Sequence, residues 1–208
     1  MTLFIGDVHG KYKQYRKILS ENIGTIQVGD MGVGFFHPMT GEALANPPHF
    51  KMLSGGHRFI RGNHDNPAIC KTHTQWIPDG TIEGEIMFIG GATSIDKHSR
   101  VLGMTWWPDE QLSAQEMGLM VDIYRNQRPR IMVTHDCPED ISDLLLPQGS
   151  PKFFEKSLTR QSFQKMWEFH QPDIWIFGHW HTSYDKIING TRFVCLNELE
   201  TKEIEVGL

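Results

Sequence analysis

Short apolar runs that stop abruptly at a polar cluster recur along this chain. Residues 2–5 (TLFI) run into Gly6-Asp7-Val8-His9-Gly10, and residues 25–28 (TIQV) into Gly29-Asp30. Residues 58–60 lead into Arg61-Gly62-Asn63-His64-Asp65, residues 131–134 (IMVT) into His135-Asp136, and residues 174–177 (IWIF) into Gly178-His179-Trp180-His181. Runs this short, rich in Ile, Val and Phe, read as buried strands. Helical spacing fills the gaps. Tyr15, Ile18 and Leu19 share one face of residues 11–22, and Phe163, Met166, Trp167 and His170 mark another helix. Ser113-Ala114-Gln115-Glu116 is a capping box that opens a helix toward Arg125. Strands alternating with helices predict an α/β fold whose sheet is covered on both faces. Asn189-Gly190, between residues 184–188 and 191–196, predicts a hairpin, and residues 201–206 a further antiparallel strand. Residues 73–112 are the least regular stretch, read as part strand and part loop able to cover a site. All of 1–208 is taken as one domain, with 73–112 as its lid or insertion.

Polar clusters at the ends of successive strands fall along one edge of a sheet, where open α/β sheets place their ligand sites. That edge carries Asp7, His9, Asp30, Asn63, His64, His135, His179 and His181. The set holds imidazoles, two carboxylates and a carboxamide but no thiolate, which suits Mn, Fe, Zn, Co or Ni rather than a structural zinc. Eight such groups exceed what one ion can use. Two ions about 3.5–4 Å apart can share them if one carboxylate bridges, an arrangement that activates water for in-line displacement at phosphorus. Taken singly, each cluster has an ordinary reading: Gly29-Asp30 as a turn, His179 and His181 as surface residues, Asn63-His64-Asp65 as an Asn-led turn capping a helix. Metal binding accounts for all five at once.

The ordered set GDVHG, GD, RGNHD, a strand-terminal His and GHWH, from Asp7 to His181, resembles the calcineurin-like metallophosphoesterase superfamily. The resemblance implies two β-sheets packed as a sandwich flanked by helices, with a dinuclear centre at the strand ends. By position it implies that Asp7, His9 and His181 bind the first metal, Asp30 bridges, and Asn63, His135 and His179 complete the second. It further implies that His64 contacts phosphate and protonates the leaving oxygen, and that Arg61 forks onto phosphate oxygens. One departure matters. The Ser/Thr protein phosphatase branch continues its second motif as GDxxDRG, whereas here Met31-Gly32-Val33-Gly34 follow Asp30. Both the supporting aspartate and the phosphate-binding arginine of that motif are missing.

Composition narrows the partners. The 208 residues carry a net charge of −5, too acidic for a dedicated duplex-binding protein. Cys70, Cys137 and Cys195 form no CxxC, which argues against a disulfide framework or a thiolate zinc site and for a reducing, cytoplasmic setting. No signal peptide precedes Asp7, and no apolar run suits a membrane span. The expected activity is metal-dependent hydrolysis of a nucleotide, another small phosphorylated molecule or a phosphodiester, with two divalent ions, manganese first among them. A Ser/Thr-type protein phosphatase is one alternative. A slow or inactive scaffold of the same fold is another, weakened because every ligand position is filled. Trp106 and Trp107 are candidate stacking residues, and His98 and Arg100 candidate phosphate contacts. Asp65 either orients a ligand or caps a turn. Cys137 is read as a small buried residue, and His37, His49, His57, His73 and His170 as histidines without a chemical role.

Overall fold

The protein is described here from a computed structural model, which covers residues 1–36, 39–40, 55–146 and 156–206. The chain opens with β1 (Thr2–Ile5), α1 (Tyr12–Glu21), β2 (Thr25–Gln27) and β3 (Arg58–Phe59), then α2 (Pro67–Cys70). Next come β4 (Thr81–Glu83), β5 (Ile86–Ile89), α3 (Ala114–Gln127), β6 (Ile131–Thr134) and α4 (Glu139–Leu145). The last elements are α5 (Leu158–Phe169), β7 (Ile174–Phe177), β8 (Tyr184–Ile188), β9 (Thr191–Cys195) and β10 (Thr201–Ile204). His37 and His49 lie outside the described residues.

The strands form two sheets. One has the order β10-β1-β2-β3, the other β4-β5-β6-β7-β9-β8. The inner strands of both are parallel, while β4, β8 and β10 pair antiparallel at edges. Period-two alternation decides which side chain goes where. From β1, Phe4 enters the core between the sheets while Ile5 faces the α1 side with Tyr12, Tyr15 and Leu19. From β6 and β7, Val133 and Ile176 point between the sheets, while Met132 and Trp175 pack outward with Met117, Met120, Phe163 and Met166 of α3 and α5. The result is helix, sheet, sheet, helices. Each fully buried Phe or Ile contributes about 1.5–3 kcal/mol, so the loops at the strand ends stand on a stiff base.

Local signals account for most boundaries. The Ser113–Glu116 capping box is formed on both sides, and Ser157 caps α5 by accepting from Arg160 N. His170 ends α5 rather than joining it, and its carbonyl accepts the Tyr124 hydroxyl at 2.6 Å. Residues 73–112 hold both strand and loop. Within them, β5 is buried along its whole length and sits inside the six-stranded sheet, pairing with β6. What remains to border a site is the loop after it.

Candidate metal centre

Every strand-end cluster lies at the same end of the sandwich. β1, β2 and β3 of one sheet deliver Asp7, His9, Asp30, Asn63 and His64. β6 and β7 of the other deliver His135, His179 and His181. Ligand atoms of Asp7, His9, Asp30 and His181 lie within 4.8 Å of one another, as do those of Asp30, His135 and His179, so Asp30 belongs to both groups.

Main-chain contacts lock these loops together. The Asp30 carbonyl accepts Val8 N and His9 N at 2.9 and 2.8 Å, tying the first loop to the second. Asp30 Oδ1 accepts His64 N at 2.7 Å. Buried Gln27 reaches the carbonyl of Gly6 and accepts Gly29 N. Asp65, fully buried, takes four main-chain amides: Met31 and Gly62 at Oδ2, Gly32 and Val33 at Oδ1. It therefore pins the Asp30 loop to the Asn63 loop, an orienting role. The turn cap is supplied instead by Asn66, whose Oδ1 accepts Ala68 N and Ile69 N.

Two glycines are required by close approach. A Cβ at Gly62 would stand 2.0 Å from Asp30 Oδ1, and one at Gly178 would stand 2.2 Å from Asp7 Oδ1. His9, Asp30, His179 and His181 all adopt positive φ, between 45° and 69°, conformations costly outside glycine and held here by the packed loops.

The donor set fits cations. His135 Nδ1 donates to the Val28 carbonyl at 2.8 Å, which turns Nε2 toward Asp30 Oδ1 at 3.2 Å and Asn63 Oδ1 at 3.1 Å. His9 Nε2 and His181 Nε2 meet at 2.8 Å beside Asp7 Oδ2. Lone pairs converge at both places, and a positive charge is what they share. Burial alone would raise the pKa of Asp7 and Asp30, but the neighbouring histidines hold both below the usual carboxylate range. Burial likewise opposes a charge on His135, yet Asp30 overcomes it and raises that ring to about 10, so a proton stands where a cation would bind.

Beside this centre lies a cavity of about 470 Å³, bordered by His64, Thr93, Ile95, Arg100, Leu145, Arg160 and Trp180 among others. Arg100 donates to His64 Nε2 and pairs with Asp96 at 2.7 Å. Phe35 stacks on the His64 ring with centroids 5.1 Å apart. Burial, with Arg100 adding to it, pushes the pKa of His64 down to about 4 against the pull of Asp30.

The remaining candidates fare differently. Arg61 is buried away from the cavity, with Nε on Asp79 at 3.0 Å and Nη1 on the carbonyls of Asp109 and Glu110. It braces the loops and does not line the cavity. Trp107 is buried edge-on against Phe35, and neither it nor Trp106 lines the cavity; Trp180 does. His98 is exposed and off the cavity. Cys137 is buried, and burial pushes its thiol far up, away from nucleophilic use. His57 and His170 bond to Thr25 and to the Pro129 carbonyl. Arg160 carries no periodic or motif signal that marks it as a cavity residue, and GHWH singles out the two histidines rather than the indole of Trp180 between them.

The calcineurin-like phosphoesterase family model matches residues 1–183. Residues beyond it still belong to the fold, since β9 pairs with β7 and β10 with β1. A solved structure from Staphylococcus aureus, described as a 5′-nucleotidase in complex with alpha-ketoglutarate, is similar in fold with a TM-score of 0.56 at 12% identity. The match covers 95% of this chain and 48% of that one, so this chain spans about half the length of that structure. A comparison with curated proteins finds no match. Among the described residues, no helix is long and apolar enough to cross a membrane.

Proposed function

The chain belongs to the calcineurin-like phosphoesterase family, and from that premise we propose that it hydrolyses a phosphoester of a nucleotide or another small phosphorylated molecule at a two-cation centre. The observation that carries this reading is the sharing of Asp30 between two ligand groups. Asp7, His9 and His181 would hold one cation, Asn63, His135 and His179 the other, with Asp30 common to both. Bound there, a pair of divalent ions supplies an acidified water and neutralises phosphoryl oxygens. Manganese suits the mixed carboxylate, imidazole and carboxamide set.

The chain's own groups supply the rest. Arg100, at the cavity wall beside His64, takes the phosphate-clamping part that Arg61 is turned away from. His64 stays neutral near pH 7 and fixes the Arg100 fork. Ile95, Leu145 and Trp180 offer an apolar surface for the organic part of the substrate. A cavity of this size, together with the missing GDxxDRG residues, favours a small molecule over a phosphoprotein.

The test is reconstitution of metal-free protein with Mn, Zn, Ni or Mg, each assayed on monoesters, diesters, cyclic nucleotides and dinucleotide polyphosphates. Manganese-dependent turnover of a nucleotide or other small ester is expected. Two bound equivalents without turnover of any substrate would leave the scaffold reading in its place.

A further inference from the structure

Asn63 can serve a cation only with its carboxamide turned oxygen-inward, because Nδ2 carries protons and has no lone pair to give. Three hydrogen bonds govern that choice. Asn63 Nδ2 donates to Ser94 Oγ at 3.0 Å, and Ser94 Oγ donates to Glu110 Oε2 at 2.5 Å. Ser94 N donates to Glu110 Oε1 at 2.9 Å. All three residues are buried, Glu110 with only 2% of its surface exposed. Its main chain is anchored as well, since the Glu110 carbonyl accepts Arg61 Nη1 at 2.7 Å.

A carboxylate only accepts. Glu110 therefore draws the Ser94 hydroxyl proton to itself, and Ser94 has only lone pairs left to offer Asn63. The Asn63 amide must answer with its NH₂, which leaves Oδ1 on the opposite side, 3.1 Å from His135 Nε2. The polarity of the chain begins at Glu110 and ends at the ligand.

We propose that Glu110 is a positioning residue of the metal centre: acting through Ser94, it sets Asn63 oxygen-inward and thereby establishes the second cation position. The inference rests on the two-cation reading above. It gives a use to a buried charge that touches none of the ligands, and it gives Arg61 one too, as the brace of Glu110.

Glu110→Gln keeps the shape and removes the polarity. One amide end now presents NH₂ to Ser94, so the Ser94 proton is freed toward Asn63 and the carboxamide can turn over. Metal-free wild-type and variant protein would be titrated with Mn²⁺ by calorimetry, with electron paramagnetic resonance following spin coupling. The expected result is a second equivalent weakened by about 10–100-fold, the size typical of losing an outer-shell partner. The first equivalent, at Asp7, His9 and His181, should be unchanged. Ser94→Ala, which deletes the middle link, should give the same selective loss even where Glu110→Gln fails to fold. Wild-type affinity at both equivalents, or equal weakening of both, would overturn the proposal. A wild-type protein that takes up only one equivalent would overturn the two-cation reading beneath it.

Discussion

Arg100 donates from its guanidinium to Nε2 of His64, which makes an acceptor of the histidine that the GNH motif marks as a proton donor. With its pKa pushed down to about 4, His64 is the neutral imidazole at pH 7, whose remaining ring N–H is a poor acid, and cations alongside would lower the pKa further. His64→Asn and Arg100→Ala are therefore expected to lower kcat/KM by similar factors. The double variant should cost little more than the worse single change, a coupling of about 0.5–3 kcal/mol. His64→Asn should also cost alkyl and p-nitrophenyl phosphates alike. A much steeper loss on the alkyl ester, with its basic leaving group, would restore His64 as the general acid.

Asp30→Asn removes the charge common to both ligand groups. It is expected to abolish the second equivalent and hydrolysis together, beyond the roughly 10–100-fold of an outer-shell change. Gly62→Ala should act on the same atom from behind, since its Cβ would fall 2.0 Å from Asp30 Oδ1. Elemental analysis finding two equivalents in either variant would contradict this.

Asp65→Asn places an NH₂ where a carboxylate oxygen now takes two main-chain amides. Two buried donors lose their acceptor, and the expected cost is about 2–4 kcal/mol. The denaturant midpoint should fall without a change in slope. Asp65 is absent from both ligand groups, so an effect on metal affinity alone would mean that its contacts matter only to the centre.

His135 sets a pH dependence. Its folded pKa of about 10 stands above the ordinary value near 6.5. In metal-free protein the stabilisation from its proton is fully present below about pH 6.5 and is lost as pH rises through 10. A cation competes with that proton, so affinity at the second position should climb across the same window. Thermal melts from pH 6 to 10 should show metal-free protein losing stability while loaded protein holds it. Saturation at 100 times Kd adds about 2.7 kcal/mol per site, and a flat profile for both forms would refute the assignment.

Much of this was legible because strands and ligands share one signal. An apolar run ending in Asp or His marks both the strand and the end at which its side chain emerges, so β1, β6 and β7 and their loops could be read directly. The pairing of sheets could not. Nothing local to residues 86–89 distinguishes a core strand from a strand beneath a lid; only its partner β6 decides. The inward turn of Arg61 was hidden for a related reason. Its motif position says nothing of Asp79, which takes its guanidinium inward. Ser94 and Glu110 act on Asn63 across a fold that brings distant residues together, and no spacing in the chain announces them.

The candidate ligands come from both sheets, and His181 is the last of them along the chain. A nascent polypeptide that has released β1, β2 and β3 already carries Asp7, His9, Asp30 and Asn63, but none of the imidazoles of the second sheet. His135 follows with β6, and only β7 and its loop bring His179 opposite Asp30 and His181 opposite His9. Neither group of candidate ligands is complete in any N-terminal piece of the chain that stops short of His179, so the first sheet alone holds carboxylates with too few imidazoles to share a cation.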